Sequence, residues 1–350
     1  MFRSPRPPSL PACRIILCVL LAAACPAAGP AAADQAQTPL RVALPEGLSP
    51  RTIGYFLARE NGFFAAAGLD VRLEAPASGG LADLHDPLAA LTDNAADLAV
   101  EIMPVALRQR EGGSRIVNVA QIFQKASMEL VCRASIQKAT AIRGHAVGVW
   151  FGGLESGFFA WMSQLNFSIF GGADGVTVLR QDRDLGDFER FQIDCVTTAT
   201  YLAPIQFAVA GMNLGAMTRF RYETLGLGVL EDGLYATEAD LAQPAKVAAF
   251  AAFLRAANRG WELLHTDRGA AVRLLQKDPA YKTVDAKVLL AALAEADALV
   301  SIRGVPIGSL VPADYDRTVN LLLTGAPNPV LRRAPAAAFS DIVWRRMRQG

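Results

Sequence analysis

The chain has 350 residues, 33 acidic and 34 basic side chains, and a formal net charge of +1. That length buries a sizeable core, as one large domain or as two lobes. So balanced a charge leaves no broad electrostatic footprint for nucleic acid, and the short cluster Arg345, Arg346 and Arg348 reads as a solvated helix end.

The first residues read as a targeting segment. Arg3, Arg6 and Arg14 supply positive charge, and residues 15–24 form an apolar run too short to span a bilayer comfortably. Ala31-Ala32-Ala33 before Asp34 fits a small-x-small cleavage site, so residues 1–33 are expected to be a signal peptide and the protein periplasmic. An alternative is a lipoprotein anchored at Cys25, after Leu21-Ala22-Ala23-Ala24. No later stretch reads as a transmembrane helix. Cys13, Cys18 and Cys25 fall in the leader, which leaves Cys132 and Cys195. These two either pair in an oxidising compartment or stay reduced. Their apolar surroundings, residues 128–132 and 193–196, favour buried free thiols. There is no Cys/His spacing for zinc, and His85, His145 and His265 lie far apart and read as surface or loop residues. No cofactor or metal is expected.

From Pro39 the chain alternates short apolar runs with amphipathic segments. Strands are expected at 41–44, 69–73, 98–102, 116–123, 128–132, 146–151, 176–179 and 193–197. Helices are expected at 53–60, stopped by Asn61-Gly62, then at 81–91, at 105–110 and up to Ala210. After Glu238 the chain turns helical and alanine-rich, with segments at 247–264, 286–298, 315–323 and 339–347. Trp161 and Trp261 sit on apolar helix faces and are expected in the core. Strands alternating with helices mean an α/β protein with mainly parallel sheets.

One stretch, residues 144–161, reads as strand, glycine turn and helix. Ala146 to Phe151 is apolar, Gly152-Gly153 breaks the run, and Phe158, Met162 and Leu165 follow on one helical stripe. Glycines let a ligand approach the backbone, and a helix start offers unpaired N–H groups. Any α/β crossover also needs a turn here.

Several stretches resemble the periplasmic solute-binding proteins of ABC importers, in the nitrate/sulfonate/taurine and thiamine-precursor group. They are Ile53-Gly54-Tyr55-Phe56 through Gly62-Phe63-Phe64 with Gly68-Leu69-Asp70-Val71, Asn94 to Val100, Val147 to Glu155, and Gly228 to Tyr235. The last two are similar to the branch that binds thiamine-pyrimidine precursors and includes eukaryotic pyrimidine synthases. The resemblance runs from about Leu40 to Leu323. It implies a two-lobed, type II-like periplasmic-binding-protein fold: lobe 1 from 38–131 plus 230–325, lobe 2 from 132–229, and a C-terminal helical segment at 326–350. The ligand is then held in the cleft, where loops at the carboxyl ends of parallel strands meet. The chain departs from that branch at Pro45 to Thr52, which lacks the branch's Trp, Asn and His, at Tyr201-Leu202-Ala203, and at Leu154.

Candidate ligand contacts follow. Phe151 offers a ring for stacking, Gly152 and Gly153 offer backbone donors, and Glu155 either accepts a ligand N–H or serves the helix dipole. Tyr201 follows a lobe-2 strand and either reaches the cleft or lies in the core. Glu101, Met103, Gln121 and Phe123 are the lobe-1 candidates, with Ser78 before Gly79-Gly80 as an anchor turn or an ordinary N-cap. Glu231 and Asp232 are expected to serve a hinge. No arginine cluster falls among these turns, which speaks against an anion bound by bidentate pairing and for a heteroaromatic.

The expected function is capture of a small organic solute by cleft closure, with delivery to an inner-membrane ABC permease and ATPase by a monomeric, non-enzymatic protein that binds no nucleic acid. The alternatives are an iron-dependent pyrimidine synthase, whose histidine and cysteine-rich motif are not matched here, a nitrate- or sulfonate-type binding protein, and a sensor that presents ligand to a receptor.

Overall fold

In a computed structural model of the chain, the described residues are 37–76, 86–182, 184–325 and 329–349, with 1, 2 and 4. The rest of the expected leader, with Cys25, and Ser78 and His85 lie outside them. Residues 37–350 form one compact unit. No helix among the described residues is long and apolar enough to cross a membrane.

The first part runs β1 (Thr38–Ala43), α1 (Ile53–Glu60), α2 (Phe63–Ala66), β2 (Leu69–Glu74), α3 (Pro87–Thr92), β3 (Leu98–Ile102), α4 (Met103–Glu111) and β4 (Ile116–Gln121). Then come β5 (Met128–Cys132), β6 (Ala146–Val149), α5 (Ser156–Gln164), β7 (Thr177–Arg180), α6 (Gly186–Glu189), β8 (Cys195–Ala199), α7 (Ala203–Val209) and β9 (Thr218–Arg221). The chain returns through β10 (Asp232–Thr237) and ends in α8 (Glu238–Leu241), α9 (Pro244–Thr266), α10 (Arg268–Leu275), α11 (Ala286–Val300), α12 (Pro312–Thr324) and α13 (Ile342–Gln349).

Two five-stranded sheets result, in the orders β2-β1-β3-β10-β4 and β7-β6-β8-β5-β9. The fold is the α/β class expected, and each sheet is mixed, with one strand running against the other four. Strands β2, β1 and β3 run parallel, as do β7, β6 and β8. Strands β10 and β5 run antiparallel to both their neighbours. The reason is connectivity: these two strands enter their sheets directly from the segments that cross between sheets, with no helix to reverse the chain. Strands β9 and β10 were not foreseen as strands. Strand β9 has only four residues and owes its pairing to β5, and β10 carries Gly233 and the charged Asp232 in place of a continuous apolar run.

The first sheet owes its core to α9, whose face Phe250, Phe253, Leu254, Ala257 and Trp261 is buried. Helix α1 lies so close against α9 that a Cβ on Gly260 would meet the Gly54 carbonyl oxygen at 2.0 Å, and one on Gly54 would meet the Trp261 ring at 2.1 Å. Glycine at both positions lets Trp261 pack edge-on to Tyr55 and Phe123. The second sheet has a smaller core around Leu130, Val147, Phe158, Trp161, Met162 and Tyr222.

Cys132 and Cys195 are not free thiols. They face each other in the β5–β8 register and form a disulfide. The apolar surroundings were read correctly, but 63 residues of separation hid the pairing. Beside this bridge, fully buried Glu129 on β5 accepts from Arg219 Nη2 at 2.6 Å, with Arg221 Nε at 3.6 Å. Arg221 in turn meets Glu295 of α11 at 2.5 Å, which ties the second sheet to the C-terminal helices.

Candidate functional site

The sheets are joined by two crossings, at 122–127 and 222–231. Between the sheets lies a cavity of about 380 Å³. Its walls sit where parallel strands end. The loop Glu46 to Arg51 follows β1, Ile102 closes β3, Trp150 and Leu154 follow β6, and Tyr201, Leu202 and Gln206 follow β8. Ser127, Met128 and Glu231 complete it from the crossings, and Asp278, Ala280 and Tyr281 from the turn before α11. Loops at the carboxyl ends of parallel strands are free of sheet hydrogen bonds and so can face a ligand.

The β1–α1 loop is built by its own hydroxyls. Thr52 Oγ1 donates to the Gly47 carbonyl at 2.6 Å, and Ser49 N–H donates to Thr52 Oγ1 at 3.2 Å. The Ser49 hydroxyl closes onto Glu46, and Arg51 N–H donates to Ser49 Oγ at 3.2 Å. This winds Arg51 inward. Its guanidinium forms a fork onto Asp232, Nε to Oδ2 at 2.7 Å and Nη2 to Oδ1 at 2.5 Å, while Nη1 lies 3.8 Å from Glu46 Oε2. Burial lowers the affinity of this guanidinium for its proton, but Asp232, Tyr201 and Glu46 outweigh burial and raise its pKa.

Glu231 fastens the two crossings together. Its carboxylate accepts from Ser127 N–H at 2.7 Å, Ser127 hydroxyl at 2.5 Å and Met128 N–H at 3.2 Å. Burial pushes it from the ordinary 4.5 up to about 7, despite the opposing donors. Asp232 hydrogen-bonds through its carbonyl to Ile122 and Phe123 N–H. Both residues stand at the second crossing, and Glu231 also faces the cavity.

Of the sequence candidates, Tyr201 lines the cavity, and desolvation raises its hydroxyl pKa above the ordinary range. Phe123 is fully buried beneath it, ring to ring at 6.0 Å. Gln121 is also buried. Its amide donates to the Phe123 and Glu231 carbonyls at 2.9 and 3.0 Å, so it braces both crossings. Met103 is buried at the start of α4. Glu101 is buried behind Ile102, accepts Ile102 N–H at 2.7 Å, and is pushed by burial to about 7.

Phe151, Gly152, Gly153 and Glu155 do not line the cavity. Phe151 is 36% exposed, beside Phe159 and Arg180. The Glu155 carboxylate is taken up by Gly153 N–H at 2.7 Å, so it shapes its own turn. The turn nonetheless matters. Gly153 has φ +109°, and a Cβ there would meet Val105 Cγ2 at 2.8 Å and Ile102 Cδ1 at 3.3 Å. The glycine thus allows the second sheet's turn to touch the first sheet's α4 and shut one side of the cavity.

Sequence reasoning passed over Trp150, and noted the 46–51 loop and Leu154 only as departures from the family branch. The available signal was position: the segment after the first strand of a parallel sheet. Among the described residues, the single Arg51 stands at the cavity; the expectation was of no arginine cluster among these turns.

The family model described as NMT1/THI5 like matches residues 49–271. The chain belongs to the NMT1/THI5-like family. No curated protein matches this member of the family by sequence. Among solved structures, it is similar to the alkanesulfonate-binding protein SsuA from Xanthomonas axonopodis pv. citri bound to MOPS, with TM-score 0.62 and 14% identity, covering 87% of this chain and 98% of that one. A Candida albicans gene product with the generic periplasmic binding protein fold gives TM-score 0.57 at 15% identity, covering 88% and 94%. The desulfurization enzyme DSZB gives 0.55 at 12%, covering 89% and 99%. These likenesses establish for the NMT1/THI5-like chain the periplasmic-binding-protein fold.

Proposed function

We propose that this protein is an extracytoplasmic solute-binding component of an ABC importer, and that it captures a small, flat, neutral or weakly basic organic solute by cleft closure. The observation that carries the reading is the cavity between two sheets joined by two crossings, walled by loops from both. A solute there adds contacts to both halves and biases the closed arrangement. Family membership supports the reading, as does the disulfide, which persists in an oxidising compartment.

The chemistry of the walls supports the ligand class. Trp150 and Tyr201 offer aromatic surface, and Trp150 is fixed by its Nε1–H donating to the Asp182 carbonyl at 3.2 Å. Among the described residues, Glu46, Glu231 and Asp278 face the cavity against one basic residue, Arg51. An amino-substituted ring, such as a thiamine-precursor pyrimidine, donates hydrogen bonds to such acceptors. In this reading Tyr201 and Trp150 clasp the ring, Glu231 accepts from it, and the loaded monomer docks on a permease served by an ATPase.

A thermal-shift screen tests this, with the hydroxymethyl aminopyrimidine precursor of thiamine, purines, flavins, taurine, nitrate and alkanesulfonates as probes. The right class raises stability by about 3 kcal/mol at a hundredfold excess over its Kd, and small-angle scattering shows compaction. If only sulfonates or nitrate stabilise the protein, the heteroaromatic reading fails. Turnover of the pyrimidine probe in place of reversible binding establishes an enzyme instead.

A further inference from the structure

We infer that Asp232 is a specificity-determining residue: it fills, from within the protein, the anion place that Arg51 offers to the cavity. The inference rests on the capture reading above and names what that cleft rejects. Arg51 is the one basic residue in the cavity's lining among the described residues. A guanidinium fork matches the two oxygens of a carboxylate or sulfonate, and both prongs here are taken by Asp232 at 2.7 and 2.5 Å. Glu46 stands at 3.8 Å from the remaining terminal nitrogen.

Asp232 cannot swing away to make room. Its side chain is 3% exposed. It opens β10, opposite Ile102 of β3, and its carbonyl holds Ile122 and Phe123 N–H at 3.0 and 2.9 Å. An incoming anion must therefore compete with a fixed intramolecular carboxylate and also approach Glu46 and Glu231. A neutral or cationic solute meets no such opposition. The same scaffold can hence present its arginine without binding anions.

The experiment titrates MOPS and ethanesulfonate into wild type, Asp232→Asn and the double variant Arg51→Gln/Asp232→Asn by calorimetry, with the hydroxymethyl aminopyrimidine run in parallel. Wild type is expected to give no response to millimolar MOPS. Asp232→Asn frees one prong of the fork and gains about tenfold or more in MOPS affinity, and the double variant loses that gain. Wild type binding MOPS as tightly as Asp232→Asn overturns the inference while leaving cleft capture standing. So does a folded Asp232→Asn that gains nothing. Should Asp232→Asn fail to fold, Glu46→Gln replaces it and is expected to show a smaller gain that Arg51→Gln abolishes, and no gain overturns the inference. The capture reading fails separately, if scattering shows no compaction of wild type with any probe in the screen.

Discussion

The two sheets share one plan and are held together by different means. In each, three parallel strands are followed by an antiparallel fourth that comes straight from a crossing, and by a fifth paired to it. The first sheet is backed by the 23-residue helix α9 and an aromatic core of Tyr55, Phe64, Phe250, Phe253 and Trp261. The second sheet has short helices and a smaller core, and it carries the disulfide and the buried Glu129–Arg219–Arg221 cluster. A small core buries too little apolar area to secure itself, and covalent or ionic ties supplement it. The cavity lies where these two constructions meet, and there the buried charges are arranged differently. Glu129 is matched by two arginines, whereas Glu46 and Asp232 share Arg51 and Glu231 is held by Ser127 and Met128.

The largest effect is expected from the disulfide. Cys132→Ala with Cys195→Ala opens a loop of 63 residues and lowers stability by about 4 kcal/mol on the chain-entropy account, read by urea unfolding. A loss below about 1 kcal/mol would mean that the second sheet is secured by its core after all. Next, Arg219→Leu leaves Glu129 buried with only Arg221 nearby and costs about 3 kcal/mol. In the first sheet, Gly260→Ala forces α1 from α9 and costs about 2 to 3 kcal/mol. Equal tolerance of Gly260→Ala and of an alanine at exposed Arg259 would disprove the close approach.

At the junction the expected signature is pH dependence. The folded-state pKa of Glu231 is raised to about 7 from 4.5. The folded protein therefore binds a proton more tightly there than the unfolded chain does. The associated stability is fully present below pH 4.5 and is lost as pH rises through about 7. Glu231→Gln removes this titration, so its melting temperature relative to wild type should rise between pH 5 and pH 8, across most of that window. A constant difference across that range would show that Glu231 stays ionised throughout. The smallest effect on stability belongs to Gly153→Ala. Its Cβ meets Val105, so the turn cannot seat against α4, and solute affinity should drop about tenfold through impaired closure. Calorimetry with the stabilising probe of the screen checks this, and unchanged affinity would remove the turn from the closing surface.

The sequence alone determined the α/β class, most strand and helix positions and the two-sheet plan. The hydrophobic periods of β1, β3, β4, α1, α9 and α11 depend on neighbours in the chain, and the stretches around Gly54 and Gly228 carried the family resemblance. It also singled out Tyr201 and the glycine turn at Gly152-Gly153. Tertiary structure alone decided what those residues face. From its position Glu155 is either a ligand acceptor or a helix-dipole residue, whereas in the fold its carboxylate accepts the Gly153 N–H two positions back. Arg51 and Asp232 are 181 positions apart, and no local pattern reports their pairing. Cys132 and Cys195 met for the same reason: strand register, set by the packing of whole sheets, brings together residues that have no relation along the chain.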